Sequence, residues 1–157
     1  MHKLLLLLLI IFSGCGSSAF DDIIHKKGEG PTPATTDLKF SDYIASFEDD
    51  FSVTVNVPIV FGDITNDAVG VCKKWSNGYN EINIKLSYWD TINDKQKEQL
   101  IYHELGHCTL NLGHNGESVI MNGVYCPMSI MRPWAFSSYE ITKCYEYDRG
   151  HYIQEMM

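Results

Sequence analysis

The sequence predicts a small α+β domain, because short β-branched segments fill the first half of the chain and a long segment with helical periodicity follows them. The chain has 157 residues. Residues 16–36 contain little that could form a core, so the folded domain begins near Asp37 and has about 120 residues. That length suits one domain with a single apolar core, and nothing repeats along the chain. The predicted domain therefore spans residues 37–157.

The elements of the first half are one short helix and three strands. Residues 41–51 predict the helix. Residues 53–61 alternate and are rich in β-branched side chains, residues 69–72 form a second strand candidate, and residues 81–86 alternate strictly. These strands predict a small mixed sheet ahead of the long helix.

The long helix is predicted to begin after Asn93, a capping-type residue that is followed by strong helix formers. Its apolar residues recur at helical spacing, namely Leu100, Ile101, Leu105, Cys108 and Leu112. Gly113 is the expected stop, because glycine readily takes the left-handed backbone conformation past a helix end.

The C-terminal segment predicts a last helix. Ser137 and Glu140 have the spacing of a capping box, and Ile141, Tyr145 and Tyr152 follow them. We expect this helix to pack beneath the long one, with Arg149 in a structural role among the tyrosines.

The long helix carries an H-E-x-x-H motif, from His103 to His107. Residues four apart on a helix are offset by only about 40°, so the two histidines point the same way and can hold one metal ion. The motif predicts Zn²⁺ as the cofactor. Glu104 lies beside the pair, where its carboxylate could act as general base toward a metal-bound water.

A zinc site with an open position needs a third protein ligand in addition to the two histidines of the motif. Three protein ligands leave the fourth position for water or another donor. We predict His114, which follows Gly113 and could turn back toward the metal. His151 and the carboxylate of Glu117 are the competing candidates.

These residues resemble the metzincin metallopeptidases, whose signature is H-E-x-x-H-x-x-G-x-x-H followed by a methionine turn. Here the third histidine comes one residue late, and Leu110 occupies the glycine position. Ser129-Ile130-Met131 resembles the methionine turn, with Met131 17 residues after His114. The resemblance covers about residues 90–135 and implies a zincin-like fold, with the sheet packed on an active-site helix, a Met-turn and a C-terminal helix.

The resemblance implies that the chain is an enzyme, a zinc metalloendopeptidase. Such a hydrolase uses Glu104 to assist attack of a zinc-bound water on a peptide bond, so its partner is a protein or peptide substrate. An extended substrate would then pair along the exposed edge of the sheet. The alternative is a surface binding lipoprotein that retains a zincin fold and cleaves nothing.

The N-terminus predicts export. Residues 1–14 combine a basic start with a short apolar run, as a signal peptide does, and they are too short for a confident membrane span. Phe12-Ser13-Gly14-Cys15 resembles a bacterial lipobox, so Cys15 is the predicted lipidation site and residues 15–36 a flexible tether. A plain signal peptide cleaved near Ser18 or Ala19 is the alternative. We expect a lipid-anchored protein on a bacterial membrane, in the outer membrane or at the cell surface.

The other four cysteines predict two disulfides in an oxidising compartment. Three connectivities are possible. We favour Cys72 with Cys108, which would pin a strand to the long helix, and Cys126 with Cys144, which would fasten the methionine turn to the C-terminal segment. Cys108 is a poor candidate for an extra zinc ligand, because it follows His107 directly and faces another side of the helix.

Charge argues against nucleic acid as a partner. The chain has 12 basic and 20 acidic residues, a formal net charge of -8. Its basic runs are no longer than Lys26-Lys27 and Lys73-Lys74. We expect a monomer whose partners are polypeptides and, through the anchor, a membrane.

Overall fold

The strands form a mixed four-stranded sheet and a separate β-hairpin. The computed structural model describes residues 24–26, 32–65 and 67–157. Five α-helices accompany them in this part of the chain. The prediction of a small domain that mixes helices and strands is confirmed at this level. The predicted signal peptide and the predicted lipidation site Cys15 lie outside the described residues.

The four strands of the sheet are β1 (Ile24–Lys26), β2 (Ile59–Phe61), β3 (Gly70–Trp75) and β4 (Asn80–Ile84). Their order is β1-β3-β4-β2, with β3 and β4 antiparallel and the outer two pairs parallel. Ile82 and Ile84 of β4 are fully buried, as is Cys72 of β3.

The first predicted strand is shorter than its sequence pattern suggests. Residues 53–61 alternate, but only Ile59–Phe61 pairs in the sheet. The backbone before it turns toward the preceding helix, where the Val55 N–H donates to the Glu48 carboxylate at 2.7 Å. Hydrogen bonding to a side chain replaces the sheet ladder there.

The helices are α1 (Ser41–Phe51), α2 (Leu86–Trp89), α3 (Asp94–Cys108), α4 (Ser138–Glu140) and α5 (Arg149–Glu155), with a 3-10 turn at Leu38–Phe40 and a π-helical turn at Ile141–Tyr145. Side chains and backbone of Asn93 and Gln96 form a capping box at the start of α3. No helix among the described residues is long and apolar enough to cross a membrane.

Helix α3 is the centre of the core. Every residue from Glu98 to Cys108 is buried. Other parts of the protein therefore surround this part of the helix on all sides, whereas a surface helix buries only one face. The sheet and α1 pack against it, and Met131 and Met156 approach it at Gly106. Other apolar residues buried in the same core are Phe40, Phe47, Ile59, Ile82, Ile84, Ile130, Phe136, Tyr145 and Tyr152.

Two disulfides tie these layers together. Cys72 of β3 is bonded to Cys108 at the end of α3, and Cys126 is bonded to Cys144 in the π-helical turn. These are the pairs that the sequence favours. The Cys72 bond also removes Cys108 from the set of free thiolates that could bind a metal.

A β-hairpin between α3 and the C-terminal segment is missing from the sequence-based prediction. Strands β5 (Ser118–Met121) and β6 (Val124–Pro127) are joined by Asn122 and Gly123, both at positive φ (46° and 78°). An Asn-Gly dipeptide between two short apolar segments is a strong signal for such a turn. The hairpin positions Cys126 and leads into the methionine turn.

Candidate metal centre

Three histidines converge on one point at the C-terminal end of α3. The Nε2 atoms of His103 and His107 are 3.0 Å apart, those of His107 and His114 are 3.1 Å apart, and those of His114 and His103 are 3.3 Å apart. No other His, Cys, Asp or Glu of the described residues joins this cluster. The structure therefore brings together the three residues that the sequence predicts as ligands.

The cluster has the dimensions of a zinc site. Zinc binds imidazole nitrogen at about 2.0–2.1 Å, and tetrahedral angles then separate the nitrogens by about 3.3 Å. The observed separations of 3.0–3.3 Å are close to that value. Three histidines would fill three of four tetrahedral positions, which leaves one position for a further donor.

Backbone carbonyls fix which nitrogen of each helical histidine faces the centre. His103 donates from Nδ1 to the Ile130 carbonyl at 2.8 Å, and His107 donates from Nδ1 to the Leu112 carbonyl at the same distance. A carbonyl only accepts, so the Nδ1 atoms carry the protons and the Nε2 lone pairs point inward. Ring nitrogens oriented in this way are typical of metal-binding histidines, because converging lone pairs repel each other until a cation lies between them.

The extra residue before His114 is accommodated by an early end to the helix. The prediction that Gly113 stops the helix is wrong, since α3 ends at Cys108 and Asn111 takes the left-handed conformation, with φ 57°. The Leu112 N–H then donates to the Gly106 carbonyl at 2.9 Å. Asparagine is the next residue after glycine to accept this geometry. The turn brings His114 back over His107 despite the longer spacing.

Glu104 is fully buried between the helix and the sheet. Gly70, the first residue of β3, lies directly against it, and a Cβ atom added there would be 2.8 Å from Glu104 Cδ. Only glycine leaves room for this carboxylate. A buried carboxyl group next in sequence to a ligand candidate is an environment that a bound divalent cation would stabilise in its charged form.

Met131 lies beneath the turn of α3 that contains Gly106 and His107. A Cβ atom added to Gly106 would be 3.1 Å from Met131 Cε and 3.0 Å from Met156 Cε, so the glycine of the H-E-x-x-H motif makes room for both methionines. The turn is held by Ser129, whose Oγ accepts from the Met131 N–H at 2.9 Å. The Ile130 carbonyl on the same turn binds His103, which links the methionine turn to the first ligand.

Burial favours the neutral form of the His103 side chain. Burial is the main cause that lowers the pKa of His103 well below its ordinary value, and charge on His107 and His114 lowers it further. The hydrogen bond to the Ile130 carbonyl opposes this shift. A neutral imidazole at neutral pH is the form that binds a metal.

The competing third ligands lie elsewhere. His151, in α5, donates from Nε2 to the Met128 carbonyl at 2.9 Å, so it supports the segment before the methionine turn. Neither it nor Glu117 belongs to the histidine cluster. A surface cavity of about 600 Å³ also lies away from the cluster, with no histidine in its lining of Phe61, Gly62, Asp63, Ile64, Lys85, Leu86, Ser87 and Asp90.

An ion-pair network supports α3 from its far end. Arg149 of α5 binds the Asp50 carboxylate of α1 and the Glu98 carboxylate of α3. It also donates to the Tyr102 hydroxyl at 2.8 Å, and the Tyr145 hydroxyl donates to Glu98 at 3.0 Å. The sequence indicates a structural role for Arg149 but not these partners, because Asp50 is 99 residues away along the chain.

Comparisons with known proteins find little similarity to this chain. No family model matches it, and no curated protein matches it. A solved structure described as "GM1 bound form of the ECX AB5 holotoxin" contains a similar chain, with 15% identity and a TM-score of 0.45 over 85% of this chain and 73% of that one. A likeness this weak says nothing about function.

The metzincin assignment and the metalloprotease activity inferred from it are corrected on these findings. No family model places the chain among the metzincins. The physical reason is that H-E-x-x-H spacing places two imidazoles on one helix face. This arrangement could hold a metal ion, but it fixes neither a family nor turnover. The departures at Leu110 and in the spacing of His114 point the same way.

Proposed function

We propose that this protein is an exported zinc-binding protein. His103, His107 and His114 hold one Zn²⁺, and the open fourth position binds a donor atom of a partner polypeptide. The convergence of three Nε2 atoms within 3.0–3.3 Å of one another is the observation that carries this proposal. Zinc fits best among common divalent ions, because neutral imidazole and a tetrahedral arrangement suit it.

The finer description of the fold belongs to the same proposal. A zincin-like arrangement would have the sheet on one side of the metal-bearing helix and the methionine turn and C-terminal helix on the other. The contacts of Gly70 with Glu104 and of Gly106 with Met131 support it.

The role that we assign to the site is binding. In this proposal the Glu104 carboxylate balances the charge of the metal, and the general-base role predicted for it is not carried forward, because that role depends on turnover. The lipid anchor at Cys15 and the location on a bacterial membrane remain proposals from the N-terminal sequence. The two disulfides agree with export to an oxidising compartment.

Zinc stoichiometry tests the site. Elemental analysis of the full chain should give one zinc per molecule, and His114→Ala should lose it or bind it at least about tenfold more weakly. His151→Ala is the matched control, because it removes a half-buried histidine outside the cluster. Zinc lost in the control and retained in His114→Ala would place the site elsewhere, and an unmodified chain without zinc would overturn the proposal.

A turnover assay tests the assignment to binding. The zinc-loaded chain should leave an unfolded protein such as reduced casein intact over hours. Glu104→Gln should retain zinc and give the same result. Cleavage by the unmodified chain that disappears in Glu104→Gln would overturn the binding role and restore a catalytic one.

A further inference from the structure

The residue after the third histidine of the cluster is held by three hydrogen bonds. The Asn115 N–H donates to the Met131 carbonyl at 2.8 Å. The Asn115 side-chain oxygen accepts from the Glu117 N–H at 3.0 Å, and its amide Nδ2 donates to Glu155 Oε1 at 3.1 Å. These bonds join the chain just beyond His114 to the methionine turn, to the start of the hairpin and to α5.

Glu155 lies in a place that is unfavourable for a carboxylate. It is the last residue of α5, where a negative charge faces the negative end of the helix dipole. Its second oxygen, Oε2, is buried and forms no hydrogen bond within the described part of the chain. A buried acceptor without a donor destabilises a fold. The favourable contact of this carboxylate is its bond to Asn115.

Helix α5 is itself fixed to the rest of the fold, so it can support this contact. The hydroxyl of the buried Tyr152 donates to the Pro127 carbonyl at 2.9 Å. Met156, the residue after Glu155, is buried and packs at Gly106 of α3. The carboxylate therefore projects from an element that is anchored on both sides of the histidine cluster.

His114 depends on such support more than the other two histidines do. His103 and His107 belong to α3, which fixes their backbone. His114 lies beyond the end of that helix, after the left-handed turn at Asn111. A ligand on a loop loses more conformational freedom when it binds a metal ion, unless other contacts already hold the loop in place.

We propose that Glu155 is a positioning residue of the zinc site, which acts through Asn115 to hold the His114 Nε2 atom beside those of the other two histidines. Partners of this kind, which bind a ligand segment and not the metal, change metal affinity by about 10- to 100-fold. This inference rests on the proposed zinc site, and it adds α5 to the elements that determine the affinity of that site.

The first test measures zinc affinity of the full chain by competition with a chelating dye. Glu155→Ala should bind zinc at least about tenfold more weakly than the unmodified chain. Gln154→Ala is the matched control, because Gln154 is the exposed neighbour on the same helix, and it should change the affinity by less than about twofold. Equal affinities for the two variants would overturn the proposal. An unmodified chain that binds no zinc would overturn the proposed function as well.

The second test exchanges the amide and the carboxylate. Asn115→Asp sets two carboxylates against each other and removes the hydrogen bond, so it should weaken zinc binding at least about tenfold. Adding Glu155→Gln restores one amide and one carboxylate, with the donor now on α5, and should return the affinity to within about threefold of the unmodified chain. No recovery in the double variant would overturn the proposal. Tighter binding by Asn115→Asp would overturn it too, because charge and not position would then control the affinity.

Cobalt(II) in place of zinc gives a readout that a loss of stability alone does not move. Its visible absorption depends on the identity and positions of its ligands. At saturating cobalt, Glu155→Ala should have a weaker or shifted band than Gln154→Ala, and the double variant should have the band of the unmodified chain. Circular dichroism of the same samples verifies that each variant is folded. A band in Glu155→Ala identical to that of the control, with unfolding at a lower urea concentration, would make Glu155 a structural residue only and overturn the proposal.

Discussion

Gly70 and Glu104 are packed in direct contact, with no room for a side chain on the strand residue. A Cβ atom at position 70 would lie 2.8 Å from Glu104 Cδ and 2.9 Å from Glu104 Cγ. The carboxylate beside the histidine cluster is thus positioned by the sheet as well as by its own helix.

Gly70→Ala should therefore destabilise the fold by about 1–3 kcal/mol, because either the buried Glu104 or the strand must move. Urea unfolding measures the change. Gly116→Ala is the control, since its added Cβ would meet only Pro133 Cδ at 4.0 Å, an ordinary contact. A loss in Gly70→Ala no larger than in the control would show that Glu104 shifts at no cost.

Met131 should contribute to stability by filling the space beneath α3. Its side chain is 2% exposed, so Met131→Ala should cost about 2–4 kcal/mol through lost burial and a cavity. Met131→Leu keeps most of the volume and should cost less than about 1.5 kcal/mol. Met157→Ala provides the control at a methionine that is 79% exposed. Equal unfolding midpoints for the alanine and leucine variants would contradict the packing role.

Arg149→Ala should destabilise the protein by about 2–3 kcal/mol, because it leaves the carboxylates of Asp50 and Glu98 without their shared cation. Chemical denaturation followed by circular dichroism gives the difference. Lys143→Ala removes an exposed basic residue from the same region and should change stability by less than about 0.5 kcal/mol. If both variants unfold at the same denaturant concentration, the network contributes nothing measurable.

The same network should make the free energy of unfolding depend on pH. Burial by itself would raise the pKa of Asp50 and of Glu98, but hydrogen bonds from Arg149 to Asp50, and from Lys95 and Arg149 to Glu98, outweigh it, so both pKa values are lowered. A carboxyl with a lowered folded-state pKa stabilises the fold above its unfolded pKa, near pH 4, and loses that contribution as the pH falls through the folded value.

Unfolding free energies of the unmodified chain and of Arg149→Ala should accordingly converge as the pH falls from 7 toward 3. Urea titrations at pH 7, 5, 4 and 3 measure the gap between them. A gap that stays constant, or that widens in acid, would contradict the lowered pKa values.

Local patterns in the sequence were sufficient for α1, for the start of α3 and for the two candidate metal ligands on α3. The run from Ser41 to Phe51 forms a helix with those bounds, and Asn93 caps α3 as its residue type indicates. His103 and His107 face one point because four residues make about one helical turn. These features depend on interactions within a few residues, which the order of residues fixes directly.

Features that depend on distant partners needed the tertiary structure. Residues 53–58 have a strand pattern, but the Glu48 carboxylate binds the Val55 N–H and only Ile59–Phe61 pairs in the sheet. The helix end at Cys108 was also placed wrongly, because the left-handed turn at Asn111 competes with the glycine two residues later.

The sequence by itself determined the motif, the candidate ligands and the cysteines available for pairing, because residue identity and short spacing decide them. The tertiary structure decided that His114 and not His151 completes the cluster, that Gly70 and Gly106 make room for Glu104 and Met131, and that Ile24–Lys26 lies on the edge of β3. Each of these outcomes joins segments that are far apart along the chain, and their contact depends on how the whole core packs.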